Sequence, residues 1–477
     1  MTRFAIATGT PEAAEAAVAI VERGGTAIDG LVAAAFTLLV TEPLFCGLGG
    51  GGFILLRSPD GKVEAIDGYG AMPGLPSQQP PPRAGGLAVP LPYGDGIKTG
   101  IGHAACAVPG VLRALAKAWD LGGCLPWAEL LQPAIHHASV GHRLHRNVAY
   151  FLALSAASIQ GFSPASRQVF FQDDGITPRA AGELFVQADL AQSLQVVATE
   201  GAEALYTGSL STKLVSDMAA HEGVITAEDL RAYQAVVRQP LQISWGDWQI
   251  FTNPAPSRGG ERLAFLLANS QGLGLPEQAK LLRRAIEQGR GLFQSGTTHT
   301  SAVDQQGYAA SLTMSNGYGS GVVVPGTGIA LNNSLGELEL HPEGLHYPPG
   351  ERLESNMSPT IAVHADGRVI ALGSPGAERI PTAIWLTWLN LSSGAESEAD
   401  LIQAVASPRW HVEARPEGWT FLYEPGVAAQ TLAAEFRLRP FETLDMYFGS
   451  AQVALLNRAG TVQAVADPRR TGSVGCL

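Results

Sequence analysis

Two periodicities divide this chain. Apolar positions repeat at helical spacing near its start, and beyond residue 297 they alternate at the two-residue spacing of strands. Thr10 can cap a helix that has Pro11 at its first position and Glu12 and Glu15 in or near its first turn, and Gly24-Gly25 stops it. Thr26 and Asp29 have the spacing of a capping box, which predicts a second helix to about Val40. Both helices are Ala-rich, which lets them pack closely on a sheet. Gly47-Leu48-Gly49-Gly50-Gly51-Gly52 leads into a strand from Phe53 to Leu56, and Asp60-Gly61 turns it into a second strand from Val63 to Ile66. Residues 73–95 are rich in Pro and Gly and read as an extended loop. Helical spacing dominates from Pro109 to about Leu205, and Thr226, Glu228 and Asp229 open a further short helix. Strands are expected at Leu241–Trp245 and Trp248–Phe251, then a basic, exposed helix within 261–290.

After residue 297 the pattern is one of hairpins. Thr298 to Val303 and Tyr308 to Ser315 flank a turn at Gln305-Gln306-Gly307, and Pro325-Gly326-Thr327-Gly328 turns again. Thr360–Val363 and Val369–Leu372 flank Asp366-Gly367, and the remainder alternates helix and strand. Helices, then a mainly antiparallel sheet, then more helices predict sheets sandwiched between helical layers.

Composition narrows the function classes. The 477 residues are 46% hydrophobic and only 16% charged, with 56 glycines, which favours close packing over disorder. A net charge of −12 argues against nucleic acid or an anionic membrane as the main partner. The apolar run from Leu31 to Val40 is too short to span a bilayer, and the segment Met1–Ala7 does not read as a signal peptide, so a cytoplasmic location is expected. The four cysteines, Cys46, Cys106, Cys124 and Cys476, include no CxxC pair. His136, His137, His142 and His145 lie together without a nearby acid cluster, so neither metal nor cofactor is expected. The glycine run at 47–52 follows a helix and precedes a strand; a phosphate loop needs the opposite order, so the run reads as close backbone packing near a site.

The candidate chemistry centres on Gly296-Thr297-Thr298-His299. A mid-chain threonine is a poor nucleophile, whereas a threonine at a new N-terminus carries its own base. Cleavage between Gly296 and Thr297 would free an α-amine of pKa roughly 7.7–8, able to take the proton of the Thr297 hydroxyl near neutral pH. Gly289, Gly291 and Ser295-Gly296 predict mobility just before this point.

Motifs along nearly the whole chain resemble the γ-glutamyltransferase (γ-glutamyltranspeptidase) family of N-terminal-nucleophile hydrolases. They include Gly24-Gly25-Thr26-Ala27-Ile28-Asp29, Glu42-Pro43, Val108-Pro109-Gly110 and Pro254-Ala255-Pro256-Ser257-Arg258-Gly259-Gly260. Most specific are Thr297-Thr298-His299, Pro325-Gly326-Thr327-Gly328-Ile329, Leu331-Asn332-Asn333, Met357-Ser358-Pro359-Thr360 and Gly373-Ser374-Pro375-Gly376. The resemblance implies a four-layer αββα sandwich and a zymogen that cuts itself into a large segment, 1–296, and a small one, 297–477, which together form one unit. It implies a γ-glutamyl-enzyme intermediate, with no cofactor.

Carried over residue by residue, the resemblance makes Thr297 the nucleophile and Ser315 the hydroxyl that supports it. Asn316 falls near a substrate-binding asparagine, and Gly376 and Ala377 fall on the Gly-Gly pair whose N–H groups form an oxyanion hole. Ser355 and Asn356 replace a Ser-Ser pair that holds the substrate carboxylate, and Glu337 replaces an acid that binds the substrate amino group. Two departures bear on the substrate. Tyr69 stands where the family has the arginine for the glutamyl α-carboxylate, and a phenol cannot supply a bidentate charged fork. The segment between Gly260 and Thr297 is also short for the family, and Ser334 stands where a glutamine is usual. The expected activity is therefore hydrolysis or acyl transfer on a small amide or peptide of the glutathione type. The alternatives are an acylase or small-amide hydrolase with non-glutamyl specificity, and an unprocessed, non-catalytic binding relative. Oligomerisation beyond the paired fragments stays open.

Overall fold

The computed structural model describes residues 3–92, 96–289, 296–338, 340–341, 344–391 and 395–477. Two antiparallel sheets lie face to face. The first runs, in spatial order, Ser473–Cys476, Phe4–Thr8, Thr297–Asp304, Ala309–Ser315, Gly51–Arg57, Val63–Gly68 and Val236–Arg238. The second runs Val462–Ala466, Gln452–Leu456, Val369–Gly373, Thr360–His364, Trp248–Thr252 and Leu241–Trp245. Helices Pro11–Glu22, Ala27–Thr41 and Val111–Gly122 cover the outer face of the first sheet. Helices Arg258–Asn269, Ile380–Leu391 and Glu398–Ala406 cover the second. The chain is thus the expected αββα sandwich.

The alternation of strand residues sorts the two faces of the first sheet. Phe4, Ile6, Ile54, Leu56, Ala302, Ala310, Leu312 and Met314 pack with the helices. Their odd-numbered neighbours Ala5, Ala7, Leu55, Val303 and Ala309 meet Ile361, Val369, Ala371 and Ala454 of the second sheet. Alanines dominate this inner layer, and their small side chains let the sheets approach closely. The helix Ala27–Thr41 is buried at every position, because it lies between the first sheet and further helices. Its Thr26–Asp29 capping box forms as the spacing predicts, and Thr10 caps the preceding helix.

Three elements differ from the sequence expectation. Phe4–Thr8 is a strand inside the first sheet. Its partners lie some 300 and 470 positions along the chain (Thr297–Asp304 and Ser473–Cys476), so no local signal marks it. The loop expected over 73–95 contains a strand, Leu87–Leu91, paired with Ile97–Ile101. The helical stretch of 261–290 is two helices, Arg258–Asn269 and Leu275–Gln288, separated at Gly272, whose φ of +76° ends helical geometry. Residues 93–95, Arg290, Gly291 and Ser295 fall outside the described residues. Among the described residues, no helix is long and apolar enough to cross a membrane.

A polar seam runs between the sheets near one end. His299 Nδ1 is 2.8 Å from Thr313 Oγ1, and its Nε2 is 3.0 Å from Ser301 Oγ. Ser301 and Ser311 donate across the gap to the carbonyls of Gln452 and Leu372. Gly373 closes over the His299 ring so tightly that a Cβ there would lie 2.0 Å from Cε1. Gly373→Ala should therefore cost about 1–3 kcal/mol of stability through overpacking, read as a lowered midpoint in chemical denaturation; an unchanged midpoint would show that the seam is loosely packed.

Candidate active site

The site is built on one row of cross-strand neighbours. Thr297 is the first residue of its strand and lies directly opposite Ser315, which lies opposite Gly51. Directly opposed residues share a face, so Thr297 and Ser315 both point toward the second sheet, as His299 does. Both are buried. Ser315 Oγ donates to the carbonyl of Gly296 at 3.0 Å and accepts from the N–H of Gly317 at 2.8 Å. The carbonyl it holds is that of the Gly296–Thr297 peptide bond. Gly296 sits at φ +65°, and a Cβ there would meet the Gly317 carbonyl at 1.8 Å, so only glycine fits. The Thr297 hydroxyl has no hydrogen-bond partner among the described residues.

Asn316 and Glu337 gather around this row. The Asn316 N–H donates to the Phe45 carbonyl, and its side chain fills the space over the glycine run. A Cβ on Gly50 would lie 2.2 Å from Asn316 Oδ1, and one on Gly47 2.7 Å from Nδ2. The glycines thus serve close packing, as their order predicts. Glu337 is fully buried beneath Gly317, where a Cβ would come within 3.0 Å of its carboxyl carbon. Asn332 and Asn333 brace the loop. Asn332 Nδ2 donates to the Gly49 and Ala107 carbonyls, and Asn333 Oδ1 accepts the N–H of Tyr318.

Gly376 and Ala377 follow the Val369–Gly373 strand, which packs on the Thr297 sheet through Gly373 and His299. Gly376 has φ +134° and Ala377 φ +60°, so the alanine holds a left-handed conformation that costs about 1–2 kcal/mol. A cavity of about 440 Å³ opens beside this loop, lined by Ala377, Tyr318, Arg379, Glu413 and Tyr447 among others. Behind it, burial raises the Glu378 carboxyl, and burial together with Glu378 pushes Glu413 up to about 7. Ser355 and Asn356 are buried and fixed by the turn at Ser257–Gly260. Gly259 donates to the Ser355 carbonyl, and a Cβ on it would meet the Asn356 carbonyl oxygen at 2.0 Å.

Comparison with known proteins fits this frame. The model of the γ-glutamyltranspeptidase family matches residues 13–293 and 285–477. The chain belongs to the γ-glutamyltranspeptidase family. It is similar to the glutathione hydrolase proenzyme of Pseudomonas aeruginosa, 29% identical over 98% of this chain and 93% of the relative. It is also similar to the acylase ACY 1 proenzyme of Pseudomonas sp. strain V22, 29% identical over 86% of this chain and 82% of the relative. The cephalosporin acylase structure from Bacillus halodurans shares the fold, with a TM-score of 0.78 over 99% of this chain and 96% of that one at 24% identity.

Tyr69, at the position of the family's arginine, is buried with its ring stacked on Phe53 at 5.5 Å between centroids. Its amide donates to Asp67 Oδ1 and its carbonyl accepts the Tyr233 hydroxyl. Its backbone lies beside Gly51, three strands along the same row from Thr297, on the order of 14 Å away at normal strand spacing. Two guanidiniums reach this neighbourhood, and both face Asp67: Arg238 at 2.8 Å and Arg352 at 3.4 Å, the latter also stacked on Tyr233. One contact to Thr297 was not legible in the sequence. Arg470 Nη1 donates to the Thr297 carbonyl at 2.9 Å. Its guanidinium lies over the Phe45 ring, and its neighbour Arg469 is locked in a buried ionic network with Glu424 and Asp467. A separation of 173 residues hides this pairing from any spacing argument.

Burial holds the His299 imidazole down at about 3, so it is neutral in the folded state. The unfolded chain takes up that proton below about pH 6.5, so stability falls as pH drops from there toward 3, by up to about 1.4 kcal/mol per unit. His411, also at about 3, acts in the same direction, and the raised Glu413 acts in the opposite one. Comparing a His299→Asn variant with the parent cancels those contributions. Between pH 6.5 and 5 the parent should lose about 1.5 kcal/mol more than the variant in denaturant melts; parallel losses would mean that His299 titrates normally.

Proposed function

We propose that this chain is a self-processing amide hydrolase and acyltransferase that cleaves itself between Gly296 and Thr297 and then acts on a γ-glutamyl amide of the glutathione type. The observation that carries this reading is the Ser315 hydroxyl donating to the Gly296 carbonyl, with the Thr297 hydroxyl on the same face. In the precursor that hydrogen bond polarises the carbonyl that Thr297 Oγ1 must attack. The attack moves the Gly296 acyl group from nitrogen to oxygen, and water then hydrolyses the ester to leave a free Thr297 amine and a Gly296 carboxylate.

In the processed enzyme the Thr297 amine takes the proton of Oγ1, and Oγ1 adds to the substrate carbonyl. The N–H groups of Gly376 and Ala377 hold the oxyanion. The amine returns the proton to the departing nitrogen, leaving an acyl ester on Thr297. Water or an acceptor amine releases it by the same steps in reverse. Asn316, Glu337, Ser355 and Asn356 are the candidate polar partners of the substrate, and the cavity beside Ala377 offers it space. Arg470 orients Thr297 through its carbonyl.

The second reading, an acylase with non-glutamyl specificity, is favoured by Tyr69. The position that would present a guanidinium to an α-carboxylate holds a packed phenol, and Arg238 and Arg352 face Asp67. Rates on γ-glutamyl anilide beside glutaryl and acetyl anilides decide between the readings. Tyr69→Arg should raise turnover of the γ-glutamyl substrate by about tenfold or more if the missing fork limits recognition. A folded variant with no gain removes Tyr69 as the determinant.

Intact mass under denaturing conditions tests the self-processing. The wild type should give two fragments, residues 1–296 and 297–477, and Thr297→Ala should stay whole. Ser315→Ala should slow the appearance of fragments by about 10²–10³-fold, as loss of one carbonyl-polarising donor does elsewhere, and Ser315→Thr should retain them. A single uncut wild-type chain would support the non-catalytic alternative.

A further inference from the structure

A second cluster of chemistry-bearing residues lies away from the Thr297 row. His103, in the turn after the Ile97–Ile101 strand, and Asp217 and His221, at the C-terminal end of the Ser209–Ala220 helix, converge on the wall of a cavity of about 1280 Å³. Asp217 Oδ2 is 3.0 Å from His103 Nε2, and Asp217 Oδ1 is 3.2 Å from His221 Nδ1. The two imidazoles stack at 4.6 Å, with 11° between their planes. The geometry points to a binding site here for one divalent transition-metal ion of the zinc class, held by His103, Asp217 and His221.

Three observations support it. Two imidazoles and a carboxylate are a common donor set for such ions, and three protein ligands leave a position for water or another ligand. One ligand atom from each of the three residues lies within 4.8 Å of the others, and rotation of the exposed His221 ring out of its stack and away from the Asp217 carbonyl lets the three close on one ion. The carboxylate is almost fully buried and sits in the last turn of its helix, where the macrodipole disfavours negative charge, so a cation beside it offsets that cost. His221, by contrast, leaves 56% of its side chain exposed, which keeps the group open on one side. The other cluster of this kind among the described residues, Glu378, His411 and Glu413, differs: its charge is already countered by Arg262 and Arg379.

The cavity is shared between the two segments of the chain. Val323, Val324, Pro325, Gly326 and Gly328, from the C-terminal side of Thr297, also line it, and Lys213 of the Asp217 helix donates to the Gly326 carbonyl. An ion held there would fix the wall against which that hairpin packs.

The test is calorimetric titration of the chelator-stripped full chain with ZnCl₂ alone, with CoCl₂ absorption as a second readout of nitrogen and oxygen ligation. The wild type should bind one ion per chain, at least about tenfold more tightly than His221→Ala and Asp217→Asn. The exposed His221 variant should keep the wild-type melting temperature and self-processing, which separates loss of a ligand from loss of fold. Absence of zinc binding by the wild type would overturn the proposal. So would one-to-one binding that survives in His221→Ala with unchanged affinity, because the ion would then lie elsewhere.

Discussion

The pairing of Thr297 with Ser315 across two adjacent strands is the constraint on which the candidate site depends. It places the two hydroxyls on the same inner face and puts the Gly296 carbonyl within reach of Ser315 Oγ. A slip of one residue between the two strands would put the two side chains on opposite faces of the sheet and remove the site altogether. The register is held by a seven-residue ladder and by the sorting of side chains, with Val303 and Ala309 packed between the sheets and Ala302, Ala310, Leu312 and Met314 packed against the helices.

The surrounding glycines follow from the same geometry. Gly296, Gly317, Gly47 and Gly50 each bring backbone to within a distance that a Cβ would occupy, which lets Asn316 and Glu337 approach the row from below. Ala377 is the exception. It accepts a left-handed backbone without being glycine, and strain of this kind persists where the surroundings hold it in place. Here the neighbouring Gly376 loop is packed against Gly449, and Ser374 Oγ accepts the Ser450 N–H.

Membership of the γ-glutamyltranspeptidase family and specificity within it rest on different parts of the molecule. In the proposed reading, the reaction type is tied to the Thr297 row and the 376–377 loop, which carry the short motifs. In the same proposed reading, the acyl group accepted depends on the Tyr69 end of the same sheet, several strands away. A core-packed tyrosine there, with the nearby arginines facing Asp67, is compatible with the same chemistry on a different acyl group.

How far the sequence could be read depended on the range of the interactions. Capping boxes, hairpin turns and alternating strands are local, because each is decided by residues a few positions apart, and they were legible with boundaries within a few residues. The Thr297–Ser315 hairpin is also local enough to follow from its turn. What only the tertiary structure decided is long-range. The strand Phe4–Thr8 forms because two strands from distant parts of the chain flank it; Arg470 meets Thr297 across 173 positions; and His103 meets Asp217 across 114 positions. Such contacts are chosen by how layers pack and charges are compensated in three dimensions, and no spacing along the chain encodes them.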